Sequence, residues 1–195
     1  MKNIVVVTPA RSGSSWLVSQ FENKLGYNNF ALGLGESEPE NKNLTQKQRL
    51  AKLEAQQPYV TKVFCDEPFD LNLISNAEFI WLHRRNIPEH FLSMTLALTT
   101  RVFNIHKGED YTPPEQLIIE QEHIDFFSNV MQCKEVVYAQ YHHMFDYKLA
   151  YEEIFKNNPW GFVDTGDKTL KLNHYSPEWL AQSTEVCKQQ GWLNV

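Results

Sequence analysis

Arg11-Ser12-Gly13-Ser14-Ser15 puts a cation, a glycine and three hydroxyls in five consecutive positions, with Trp16 next. That set suits an anion. Arg11 can give two parallel N–H bonds to a phosphate or sulfate. Gly13 lets the backbone come close, and the serines add donors. Such a loop needs a helix behind it, because the first N–H groups of a helix have no intrahelical partner and lie at the positive end of its dipole. The chain supplies one. Residues 3–8, NIVVVT, read as a buried parallel strand. After the loop, Trp16, Leu17, Gln20, Phe21, Lys24 and Leu25 follow helical spacing, and Gly26 stands where that helix would stop. Strand, glycine-containing loop and helix is a unit often used to hold phosphate groups.

The nucleoside-triphosphate form of this loop needs GxxxxGK followed by Ser or Thr. Here the cation comes first and no Lys follows Gly13. A second constellation lies further on. Arg85 follows the strand-like run EFIWLH, residues 78–83, and Ser93 stands eight residues after Arg85. Asn86-Ile-Pro-Glu89 reads as a helix start, with Asn as cap and Pro in the first turn. Arg85 would then precede a positive helix end, with Ser93 about two turns in, at ~7 residues.

Together these two motifs resemble those of sulfotransferases that use 3′-phosphoadenosine 5′-phosphosulfate. The resemblance is dense over residues 3–25 and 78–98 and thinner elsewhere. It implies a P-loop-like sulfotransferase fold, with that nucleotide as co-substrate and no metal. Arg11, Ser12, Gly13, Ser14 and Ser15 would hold the 5′-phosphosulfate, and Arg11 would also stabilise the leaving phosphate. Trp16 would face adenine. Arg85 and Ser93 would hold the 3′-phosphate. DYKLAYEEIF, residues 146–155, is similar to a later strand of the family and puts Tyr151 near adenine, although VVYAQYHHMF, 136–145, aligns there as well. Lys168, with Lys171, stands for the family's basic C-terminal loop. The general base is less direct, since Lys62 lacks the His two residues on that one branch carries. Glu36 in Gly33-Leu-Gly35-Glu36 takes the role, with Glu38, Asp66 and Glu67 as further carboxylates. The implied reaction moves a sulfuryl group to a hydroxyl or amine of a small-molecule or carbohydrate acceptor that the residues do not specify. Two other readings stay open: a P-loop nucleotide kinase-like phosphotransferase, and a non-catalytic nucleotide-binding module.

The elements that must position these residues alternate along the chain. Strand-like runs occupy 59–64, 78–83 and 146–151. Helix starts stand at Thr45 (running to about Gln56), Asn86, Thr112-Pro-Pro-Glu115 and Ser176-Pro-Glu178. This pattern predicts one α/β domain over residues 1–195, a mostly parallel central sheet flanked by helices. A hydrophobic share of 42% in 195 residues is enough for a core. The net charge, 18 − 24 = −6, argues against a broad nucleic-acid surface. Cys65, Cys133 and Cys187 form no zinc pattern and fit a reducing compartment. The seven histidines show no metal-ligand spacing. No stretch nears the ~20 apolar residues of a membrane span, so a cytoplasmic protein is expected. Oligomeric state is not written in these residues.

Overall fold

Every residue of Asn3–Thr8 is buried, and this run becomes β1, the middle strand of the sheet. The structure is a computed structural model and describes residues 1–30, 44–102, 112–163 and 175–194. The other strands are β2 (Asn28–Asn29), β3 (Tyr59–Phe64), β4 (Ala77–His83) and β5 (Tyr147–Ala150). All pairings are parallel, in the order β2-β3-β1-β4-β5. The helices are α1 (Ser14–Leu25), α2 (Gln46–Glu54), α3 (Ile87–Thr100), α4 (Gln121–Tyr141), α5 (Ile154–Asn157) and α6 (Pro177–Gln189). The chain is a single α/β domain with a five-stranded parallel sheet between helices.

Alternation along β1 splits the core into two layers, because successive strand side chains face opposite ways. Val5 and Val7 pack with Leu50 and Leu53 of α2 and with Phe79 and Trp81 of β4. Ile4 and Val6 pack with Leu17 and Phe21 of α1 and with Ile80 and Leu82. Each such side chain contributes about 1.5–3 kcal/mol on burial. A further cluster, Phe91, Met94, Phe127, Val130, Met131 and Cys187, joins α3, α4 and α6.

The sequence cues for helix ends hold at several points. Thr45 and Gln48 form a reciprocal capping box on α2, Asn86 and Ser176 cap α3 and α6, and left-handed Gly26 ends α1. One start differs. The helix expected from Thr112 begins at Gln121 instead, where Glu120 and His123 cap each other reciprocally. Residues 112–120 are not helical. No helix among the described residues is long and apolar enough to cross a membrane.

The topology fixes where a site can form. The chain leaves β1 toward the β2–β3 side and leaves β4 toward β5, so β1 and β4, which pair directly, exit in opposite directions. Ligands of open α/β sheets bind at the carboxyl ends of such a strand pair. The loop of residues 9–13 and the turn of residues 84–86 meet there.

Candidate functional site

Two left-handed residues shape the loop after β1: Arg11 at φ 64° and Gly13 at φ 84°. For Arg this conformation costs about 1–2 kcal/mol. Gly13 is the residue before α1 and has no side-chain cap, so the first amides of that helix are open to an outside acceptor. A left-handed residue followed by helical Ser14 turns successive N–H groups toward one point, a concavity suited to anions.

Neighbouring elements hold the loop in place. Cys65 N–H donates to the Thr8 carbonyl at 3.0 Å. His90, from α3, lies 2.6 Å from the Ala10 carbonyl through Nε2. A carbonyl only accepts, so Nε2 carries the proton. Burial, followed by the nearby Arg84, Lys134 and Arg11 charges, lowers the His90 pKa to about 3, against the opposing effect of the Ala10 bond. Ser12 is fully buried, and its Oγ has no hydrogen bond among the described residues.

Three cations come to this loop from three strand ends. Arg11 belongs to the loop itself. Lys62, near the end of β3, donates from Nζ to Ser15 Oγ at 3.1 Å. Its pKa is lowered, first by burial and next by Arg11, while Glu67 opposes. Arg84 follows β4; its guanidinium carbon stands 4.4 Å over the Tyr151 ring, and Nη1 donates to the Glu89 carbonyl at 3.1 Å. The Tyr151 ring in turn lies against Gly13, so closely that a Cβ at position 13 would overlap it. Burial raises the Tyr151 hydroxyl pKa, against Arg84 and Arg11.

The structure thus brings together Arg11, Ser12, Gly13, Ser14, Ser15 and Tyr151. Trp16 turns away into the core, edge-on to Phe155 with centroids 4.7 Å apart. Ser93 is buried on α3. Arg85 takes another path: its Nη1 pairs with Glu153 Oε1 at 2.7 Å, and its side chain is 62% exposed. Glu152 fixes that turn by accepting from the Arg85 and Asn86 N–H groups at 3.0–3.2 Å. Glu36, Glu38, Lys168 and Lys171 lie outside the described residues. Asp66, just past β3, has its carboxyl pKa raised by burial.

Lys62 and Arg84 were not singled out by sequence as site residues. The signal for Lys62 was alternation. Val60 and Lys62 share the face that packs on α1, and a lysine there at a strand's carboxyl end is unusual for a buried parallel strand. Adjacent arginines gave no such clue for Arg84 over Arg85.

The strand-loop-helix and its position at the switch between β1 and β4 define a P-loop-like α/β domain. No family model matches the chain, and a search of curated proteins returns no match. Solved structures of similar fold include the YorR protein of Bacillus subtilis in complex with phosphorylated GDP, at 12% identity and TM-score 0.46, covering 77% of this chain and 87% of that one. Shikimate kinase from Bacteroides thetaiotaomicron matches at 13% identity and TM-score 0.48, covering 89% and 97%. Deoxyadenosine kinase from M. mycoides with bound dCTP matches at 14% identity and TM-score 0.44, covering 89% and 100%. The expectation of a sulfotransferase, with its phosphosulfate donor, is corrected on these comparisons: two of the three named structures are kinases, one is bound to phosphorylated GDP, and none is a sulfotransferase. The two short motifs behind that resemblance specify an anion at a helix start, which phosphate satisfies equally.

Proposed function

We propose that this chain binds a nucleotide by its phosphates in the 9–15 loop and serves phosphoryl transfer, in the manner of a P-loop kinase-like phosphotransferase. The observation that carries this reading is the convergence of Arg11, Lys62 and Arg84 on one helix start. Like charges at close range repel, and an anion with several negative oxygens converts that repulsion into attraction. Phosphoryl transfer asks the protein mainly to position groups and to stabilise charge spread over oxygens. The loop amides and Arg11 would hold the phosphates. Lys62 would supply the ammonium that a Lys after Gly13 supplies in the usual pattern. Asp66 would take the acceptor's proton, its raised pKa suiting a group that exchanges protons nearer neutral pH.

A P-loop nucleotide site commonly places magnesium on the hydroxyl after the Lys. Here Ser15 Oγ already accepts from an ammonium at 3.1 Å. A divalent ion on that oxygen would face a positive charge directly, so these residues do not fit a Ser15-held metal, and no step is routed through one. Nucleotide affinity is accordingly expected to survive chelation: titration in EDTA and in magnesium should agree within about threefold, well under the 1.4 kcal/mol of a tenfold change.

The test is calorimetric titration with ATP, ADP and adenosine, on the native chain and on Arg11→Ala. ATP and ADP are expected to bind, and adenosine to bind far more weakly. Arg11→Ala should weaken ATP by about 10–100-fold, the cost of lost charge-assisted hydrogen bonds. Equal binding of ATP by both chains, or none by either, sinks the reading. Tight ATP binding without any conversion to ADP in the presence of candidate acceptors would leave a nucleotide-binding module instead.

Lys62 adds a pH dependence. A bound phosphate favours its charged form, whereas the free site disfavours it. Affinity should therefore be complete below the lowered Lys62 pKa and decline as pH rises through it. Lys62→Met should show weaker binding and a flat alkaline profile; a native decline that persists in Lys62→Met would exclude this residue as its cause.

A further inference from the structure

We infer a second ligand site, independent of the nucleotide reading, in a cavity of about 240 Å³ lined by Trp81, His83, Lys134, Glu135, Tyr138 and Lys148. It would take a small monoanion with a ring or apolar body. The cavity is built by parity and register. Trp81 and His83 are two apart on β4 and so share a face, while Lys148 of β5 pairs with Trp81 across the ladder. Above them α4 offers Lys134, Glu135 and Tyr138, one turn of helix.

The lining sets the ligand's chemistry. Two ammonium groups and one carboxylate give 2 − 1 = +1, so the complement is one negative charge. Lys134 is only 16% exposed and sits 3.4 Å from Glu135, itself 55% exposed. Lys148 Nζ lies 5.3 Å from the Tyr138 ring centre. The Trp81 and Tyr138 rings, 5.2 Å apart, form an apolar wall. His83 adds a polar contact. Burial, followed by the Lys134 and Arg85 charges, favours its neutral form, against Glu152 and a contact with the Leu149 backbone, and its Nδ1 makes no well-formed hydrogen bond among the described residues. A neutral imidazole nitrogen can meet either a donor or an acceptor. The volume falls below the ~300 Å³ at which drug-sized pockets begin, which suits one ring and an acid group.

The probe is benzoate, with neutral benzamide and ring-free acetate as controls, on isotope-labelled protein without nucleotide. Benzoate is expected to shift the Trp81 indole and the His83 and Lys148 amide resonances in one saturable curve. Benzamide and acetate should each bind about tenfold more weakly or worse. Lys134→Gln with Lys148→Gln should weaken benzoate by at least about tenfold. An unchanged amide spectrum elsewhere would show the variant folded. The proposal is overturned if benzoate causes no saturable shift at about 10 mM, if benzamide matches it, or if the double variant binds benzoate as the native chain does.

Discussion

Gly13→Ala is expected to cost the fold about 2–5 kcal/mol and to abolish phosphate binding. Two separate effects add. A side chain in the left-handed region costs about 1–2 kcal/mol, and Gly13 sits at φ 84°. The new methyl would also overlap the Tyr151 ring, which lies under the Arg84 guanidinium. Forcing a packed ring aside costs about 1–3 kcal/mol. Tyr151→Ala should relieve the second effect and leave the first. Urea unfolding of the two single variants and the double variant separates them: the double should be more stable than the sum of the singles predicts by about 1–3 kcal/mol. Strict additivity would mean that the ring does not press on residue 13.

Acid should destabilise this protein through His90. An unfolded histidine titrates near ~6.5, whereas burial brings His90 to about 3. Between those values the unfolded chain binds a proton that the folded chain refuses. Stability is thus complete above about pH 6.5 and is lost as pH falls, by about 1.4 kcal/mol for each unit. His90→Gln keeps an N–H donor for the Ala10 carbonyl and removes the titration. Its folding free energy should start lower at pH 7 but fall about 2 kcal/mol less than the native chain's between pH 6.5 and 5. Comparing the two slopes cancels the carboxylates and the other histidines, which both chains share. Parallel slopes would show that His90 protonates freely in the fold.

Much of the frame was readable because local signals and tertiary needs agreed. The NIVVVT run became the buried middle strand, and Asn86 and Ser176 cap the helices that their cues announce. Thr112-Pro-Pro-Glu115 carried an equally good start signal and began no helix. The pair that caps α4, Glu120 with His123, does so through a carboxylate and an imidazole rather than the usual hydroxyl. The two-residue β2 is too short to show any period. At the site, the loop was legible and its partners were not. Arg84 and Arg85 are neighbours, and what separates their fates is Glu152 and Glu153, more than sixty residues away. Contacts at that separation leave no local pattern. The motif resemblance went astray for a related reason, since a cation, a glycine and serines at a helix start describe the anion's charge and not its central atom.

Lys62 rides on β3 rather than in the loop, and that divides the labour of recognition. The loop supplies shape, through amides whose direction depends on Arg11 and Gly13. The sheet supplies charge, from a residue in register with Val6 on a strand that pairs with β1 from Val60 to Phe64. A substitution that reshapes the loop therefore leaves the ammonium where it was. Specificity for the phosphate's surroundings could drift by changes in the loop while electrostatic attraction for anions persisted, and the two properties could be tuned separately by design.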